Sequence, residues 1–174
     1  MNVPEAYIEY LIEFHATRDF FECHELLEEY WKEHPSDGLS ELWVMCIQIA
    51  VGQYHERRQN RRGAELMYQS ALGKLIRHLS MPNQLGLDMP SLQKLLEQHI
   101  AACKQQQPYL DMMLPIDHIK LLEMCRQQAE QRGLHWGRSS SEVSEDIIHR
   151  HLRRDRSEVI QARAAALRQS RHKK

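Results

Sequence analysis

The chain has 174 residues, 42% hydrophobic and 27% charged, with 7 Gly, 6 Pro and a formal net charge of −1. That length suits one domain with its own core, and the scarcity of glycine and of alternating Val, Ile and Thr, against abundant Leu, Glu, Gln, Arg, Ala and Met, excludes a strand-based fold in favour of an all-α one. No apolar run approaches the ~20 residues of a membrane span, and Glu5, Glu9 and Glu13 stand where a leader peptide is basic, so a soluble, cytoplasmic protein with no membrane contact is expected.

A first helix opens at Pro4, a residue suited to an initial turn, buries Tyr7, Ile8, Leu11 and Ile12, and stops near Thr17. Asp19 with Glu22 three residues on is a capping arrangement that starts the second helix at Phe20. That helix ends at His34-Pro35, where Pro35-Ser36-Asp37-Gly38 makes a turn. The third helix, about 39–57, is apolar nearly all round and is predicted to be the central one. Asn60 caps a fourth helix to about Leu79, with Leu66, Met67, Ala71, Leu75 and Ile76 inward and Gly63, Ala64 and Gly73 leaving room for a neighbouring backbone. After a loop over 81–90 come helices at about 90–106 and 117–131, the last presenting Ile119, Leu122, Met124 and Cys125 to the body.

The expected architecture is a multi-helix bundle of about six helices over residues 1–135, its motif-bearing core at 7–79, followed by a linker and basic tail at 136–174. Residues 1–137 carry 13 Lys and Arg against 19 Asp and Glu, whereas residues 138–174 carry 10 against 5, so an acidic body precedes a basic tail. Ile147, Ile148, Leu152, Val159 and Leu167 supply too little apolar area for a second core, which makes the tail a marginal, arginine-rich helix or disordered. Cys23, Cys46, Cys103 and Cys125 lack metal or redox spacing and read as small buried residues in a reducing compartment.

At about 100° per residue, Phe20, Cys23, Leu27, Tyr30 and Trp31 share the apolar side of the second helix. His24 and Glu28 lie together along its edge, with Glu25 on the flank and Glu22, Glu29 and Glu33 pointing away. On the third helix Gln48, Gly52 and His55 follow i, i+4, i+7, a polar stripe with a glycine gap on an otherwise apolar helix. Facing the second helix, that stripe would gather His24, Glu25, Glu28, Gln48 and His55 into a polar pocket walled by Trp31, fit for a small polar ligand or for a metal ion held by His24, Glu28 and His55. The sequence names no reaction and no cofactor. In an enzyme, His24 or His55 would be the general acid or base and Glu28 its orienting partner. Arg57-Arg58 and Arg61-Arg62 bracket Asn60, making Arg58, Arg61 and Arg62 candidate anion contacts. His24-Glu25-x-x-Glu28 departs from the zinc-protease helix motif, and no glutamate has a histidine three positions later, so the di-iron motif is absent.

The run from Phe20 to Trp31, Gln48-Ile49-Ala50, Tyr54-His55 and Asn60-Arg61-Arg62-Gly63-Ala64 resembles the family known as domain of unknown function 309 over about Tyr7 to Leu79. Where the family's pattern has Gly before the Asn, this chain has Gln59. The resemblance implies a small helical bundle and carries no activity, substrate or cofactor. The functional expectation is therefore the His/Glu/Gln pocket. Its alternative is a non-catalytic interaction module whose basic tail docks on a protein or nucleic acid.

Overall fold

The computed structural model describes residues 3–150, and every described residue in regular structure is helical apart from one isolated bridge between Leu87 and Ile116. Tail residues Leu152, Val159 and Leu167, with the interactions expected of them, lie outside the described residues.

Helix α1, Glu5–Ile12, runs into a single π-helical turn, Glu13–Thr17, and stops at Arg18, whose backbone is left-handed at φ 60°. Asp19 accepts from the Glu22 amide at 3.0 Å and opens α2, Phe20–Glu33, as its capping pattern predicts. Helix α3, Ser40–Arg57, is the most buried helix and packs between α2 and α4, Arg61–His78. Asn60 caps α4 by accepting from the Gly63 amide at 3.1 Å. Gln59 before it adopts φ 63°, so the left-handed turn that the family pattern gives to glycine is made here by glutamine. Asp88 caps α5, Met89–Lys104, and the His118 side chain caps α6, Ile119–Gln131, which returns to pack on α1. A four-residue α7, Glu145–Ile148, follows. No described helix is long and apolar enough to cross a membrane.

Two inward faces differ from the periodicity. Helix α4 buries Ala64, Tyr68, Ala71 and Leu75, leaving Leu66 and Ile76 exposed, and α6 buries Leu121, Cys125 and Ala129, leaving Ile119 exposed. The close helix approach also lies elsewhere than at Gly63 or Gly73. A Cβ on Gly52 of α3 would sit 2.3 Å from the Tyr68 ring, so this glycine is the gap that lets α4 bring in a tyrosine.

The segment after α6 contacts the bundle. Trp136 stacks on His15 with centroids 4.5 Å apart, Gly137 donates to the His15 carbonyl, and the Arg138 carbonyl accepts from Arg18 Nε at 2.7 Å. Ser140 and Val143 are buried. All four cysteines are buried and unpaired, and burial pushes each thiol up, Cys46 and Cys125 to about 12.

Candidate functional site

Helix α2 buries Phe20, Cys23 and Leu27, which fixes the roll of the helix and leaves the next edge partly open to water. On that edge His24 Nδ1 lies 3.1 Å from Glu25 Oε1 and Nε2 lies 3.7 Å from Glu28 Oε2. The three side chains are 29%, 34% and 34% exposed, so they are sheltered yet reachable. One donor atom from each falls within 4.8 Å of the others. A tetrahedral ion with ligands near 2.1 Å holds its donors roughly 3.4 Å apart, closer than the 4.8 Å within which these donors lie. Glu28 also receives the Lys32 ammonium at 3.1 Å. Beside the cluster, a groove runs between Phe21, Glu22, Glu25 and Glu29 of α2 and the stretch carrying Asp146, Ile147 and Arg150. Its carboxylates favour cations.

Gln48 and His55 face another neighbour. The Gln48 carbonyl accepts from Lys74 of α4 at 3.1 Å, His55 Nδ1 lies 3.0 Å from the Asn60 side chain, and Gly52 between them abuts Tyr68. The whole stripe is turned to α4 and its opening turn, because that is where the glycine gap is filled. Gln48 and His55 thus bond toward Lys74 and Asn60. Trp31 is half-buried and packs on the core. Among the anion candidates, Arg58 donates to the Tyr54 hydroxyl and to His149, Arg61 reaches the Gln107 carbonyl at 3.4 Å, and Arg62 pairs with Glu65.

Sequence reasoning missed a second polar constellation inside the bundle. Glu56 of α3 accepts from the Tyr68 hydroxyl at 2.7 Å and lies 2.9 Å from His99 Nδ1 on α5, all three buried. Gln53 donates to the Tyr68 oxygen at 2.7 Å, while its carbonyl accepts from the Met112 amide and lies 2.9 Å from the Tyr109 hydroxyl. Asp111 continues the chain, accepting from Tyr109 at 2.9 Å and from the amide and hydroxyl of Ser140. Burial works against the Asp111 carboxylate, but the Ser140 and Tyr109 hydrogen bonds outweigh it and bring its pKa below the ordinary value. Burial and the neighbouring Glu56 raise Tyr68. This is a satisfied, closed network tying α3, α4, α5 and the 109–112 stretch together. The signal for it was Gln53 and Glu56, three residues apart inside an otherwise apolar helix.

His15 was also missed. It is fully buried, its Nδ1–H donates to the Leu11 carbonyl at 2.8 Å, and its Nε2 accepts from the Leu114 amide at 3.0 Å. Burial lowers its pKa to about 3.

Residues 7–67 match the family model described as "Domain of unknown function (DUF309)". Over 160 residues the chain is 42% identical to the uncharacterized protein YpuF of Bacillus subtilis (strain 168), an alignment covering 92% of each protein. No solved structure matches the chain.

Proposed function

The chain belongs to the family of the domain of unknown function DUF309, and from that premise we propose that it binds a divalent metal ion through His24, Glu25 and Glu28, on the rim of a groove open to a small polar ligand. The observation that carries this reading is the convergence of one imidazole and two carboxylates within 4.8 Å on a single rigid helix. A mixed nitrogen and oxygen set suits Zn²⁺, Mn²⁺ or Ni²⁺. Three protein ligands leave coordination positions for water or for a ligand lying in the groove. Glu25 lies at Nδ1 and Glu28 at Nε2, so whichever nitrogen binds the ion, the carboxylate beside the other must swing across the ring to complete the set. Gln48 and His55 are not part of this site.

Titration of the full chain with Zn²⁺ by calorimetry, after dialysis against chelator, tests the reading. One ion should bind, His24→Ala and Glu28→Gln should each weaken it by more than about tenfold, and Glu33→Gln should leave it unchanged. Lys32→Ala should tighten binding by a few fold, because it frees Glu28 of a competing cation. Zinc binding that survives His24→Ala unchanged would refute the site.

A further inference from the structure

Arg57 stands at the C-terminal end of α3, is 9% exposed, and carries two buried nitrogens, Nε and Nη2, that have no hydrogen-bond partner. Its remaining nitrogen, Nη1, donates to the Arg18 carbonyl at 2.8 Å, and its guanidinium carbon lies 4.7 Å from the centre of the Phe20 ring. Nε and Nη2 form the lateral edge of a guanidinium, two parallel N–H bonds whose spacing matches two oxygens of a carboxylate or phosphate. Buried donors are nearly always satisfied, so an unpartnered fork at this depth calls for an acceptor.

The neighbouring carboxylates are already engaged. Asp19 caps α2 through the Glu22 amide and pairs with Arg150, while Asp111 holds Ser140 and Tyr109. Cations gather here as well. Arg18 is 1% exposed and bonds through its guanidinium to the carbonyls of Phe14, Met112 and Arg138 and to the Met113 sulfur. Arg58 follows Arg57 in the chain, and the start of α2 adds the positive end of a helix dipole. Past α7, His149 takes a hydrogen bond from Arg58 at 3.2 Å and Arg150 pairs with Asp19 and lies 3.7 Å from Glu22.

We propose that the Nε and Nη2 edge of Arg57, at the opening of α2, is an oxyanion-binding site that takes the carboxylate or phosphate of a small ligand as a two-pronged pair. This is independent of the metal site, which uses the outer edge of α2 and different side chains.

Thermal unfolding of the full chain in inorganic phosphate, acetate and chloride, at matched ionic strength and pH, separates the two oxyanion sources. The better oxyanion should raise Tm with the logarithm of its concentration, by roughly 5 to 10 °C at a hundredfold excess over Kd, relative to chloride. Arg57→Met should abolish the part of the shift specific to that anion, and Arg126→Met, the same loss of charge at an exposed position of α6, should retain it. Sulfate-like stabilisation by solvent exclusion would act on wild type and Arg57→Met alike. Equal responses of those two proteins in every salt would overturn the proposal and leave a buried water as the acceptor. If Arg57→Met fails to fold, Arg57→Lys keeps the charge and removes the fork. Loss of the anion-specific response in that variant supports the site, and its full retention overturns it.

Discussion

His15 must be uncharged in the folded protein, because its ring is buried with one nitrogen donating to the Leu11 carbonyl and the other accepting from the Leu114 amide. A folded pKa of about 3 against about 6.5 in an unfolded chain fixes the sign of the linkage. Above pH 6.5 both states hold the ring neutral and His15 gives no pH dependence. Between pH 6.5 and 3 only the unfolded chain takes up the proton, so stability falls as pH falls, by about 1.4 kcal/mol per unit from this residue. His15→Phe should lose about 1 to 3 kcal/mol at pH 7 through the stranded Leu114 amide and Leu11 carbonyl, yet show a shallower acid slope than wild type. Urea unfolding at pH 7, 6, 5 and 4 reads both effects, and parallel curves would mean an ordinary histidine. Nothing in the sequence marked His15 as buried, because its neighbours on α1 look like a helix end and its second partner is 99 residues away. The α2 edge was legible for the opposite reason. His24, Glu25 and Glu28 are brought together within one helix, so periodicity alone assembles them.

At the scale of elements, the helix ends followed from local chemistry, with Asp19 and Asn60 capping α2 and α4 where the pattern placed them. The direction in which a helix face looks is set by its neighbour, and there the sequence was ambiguous. The Gln48–Gly52–His55 stripe could equally have faced α2 or α4, and Tyr68 decided it by filling the gap over Gly52. The same tyrosine turned Leu66 and Ile76 outward on α4. Tyr68 has no freedom to retreat, since its hydroxyl is held by Glu56 at 2.7 Å and by Gln53 at 2.7 Å. Gly52→Ala should therefore destabilise the protein by at least about 2 kcal/mol, overpacking outweighing the gain of up to about 1 kcal/mol in helix propensity. A neutral or stabilising result in chemical denaturation would show that α3 and α4 can separate without loss, and would remove the glycine from its packing role.

For the whole molecule, the sequence placed a boundary after residue 135, on the evidence of a serine-rich stretch and a change in charge sign. Those signals concern solvation and say nothing of specific hydrogen bonds, which here carry the chain onward. Arg18 grips the Arg138 carbonyl, Asp111 takes the Ser140 amide at 2.8 Å, and Val143 is buried. Because Asp111 also receives Tyr109, which contacts Gln53, this stretch is joined through hydrogen bonds to the network centred on Glu56. A chain ending at Arg138 loses both Ser140 contacts to Asp111, leaving a half-buried carboxylate with its remaining partner. Hydrogen bonds to a charged group contribute about 1.5 to 3 kcal/mol, and each 1 kcal/mol moves Tm by about 2 to 4 °C at this size. The chain ending at Arg138 should therefore melt roughly 6 to 20 °C below one ending at Arg150, and Asp111→Asn in the longer chain should reproduce part of that loss. Calorimetric scans that place the two truncated chains at the same Tm would mean that residues 139–150 rest on the bundle without holding it, and the boundary after residue 135 would then stand.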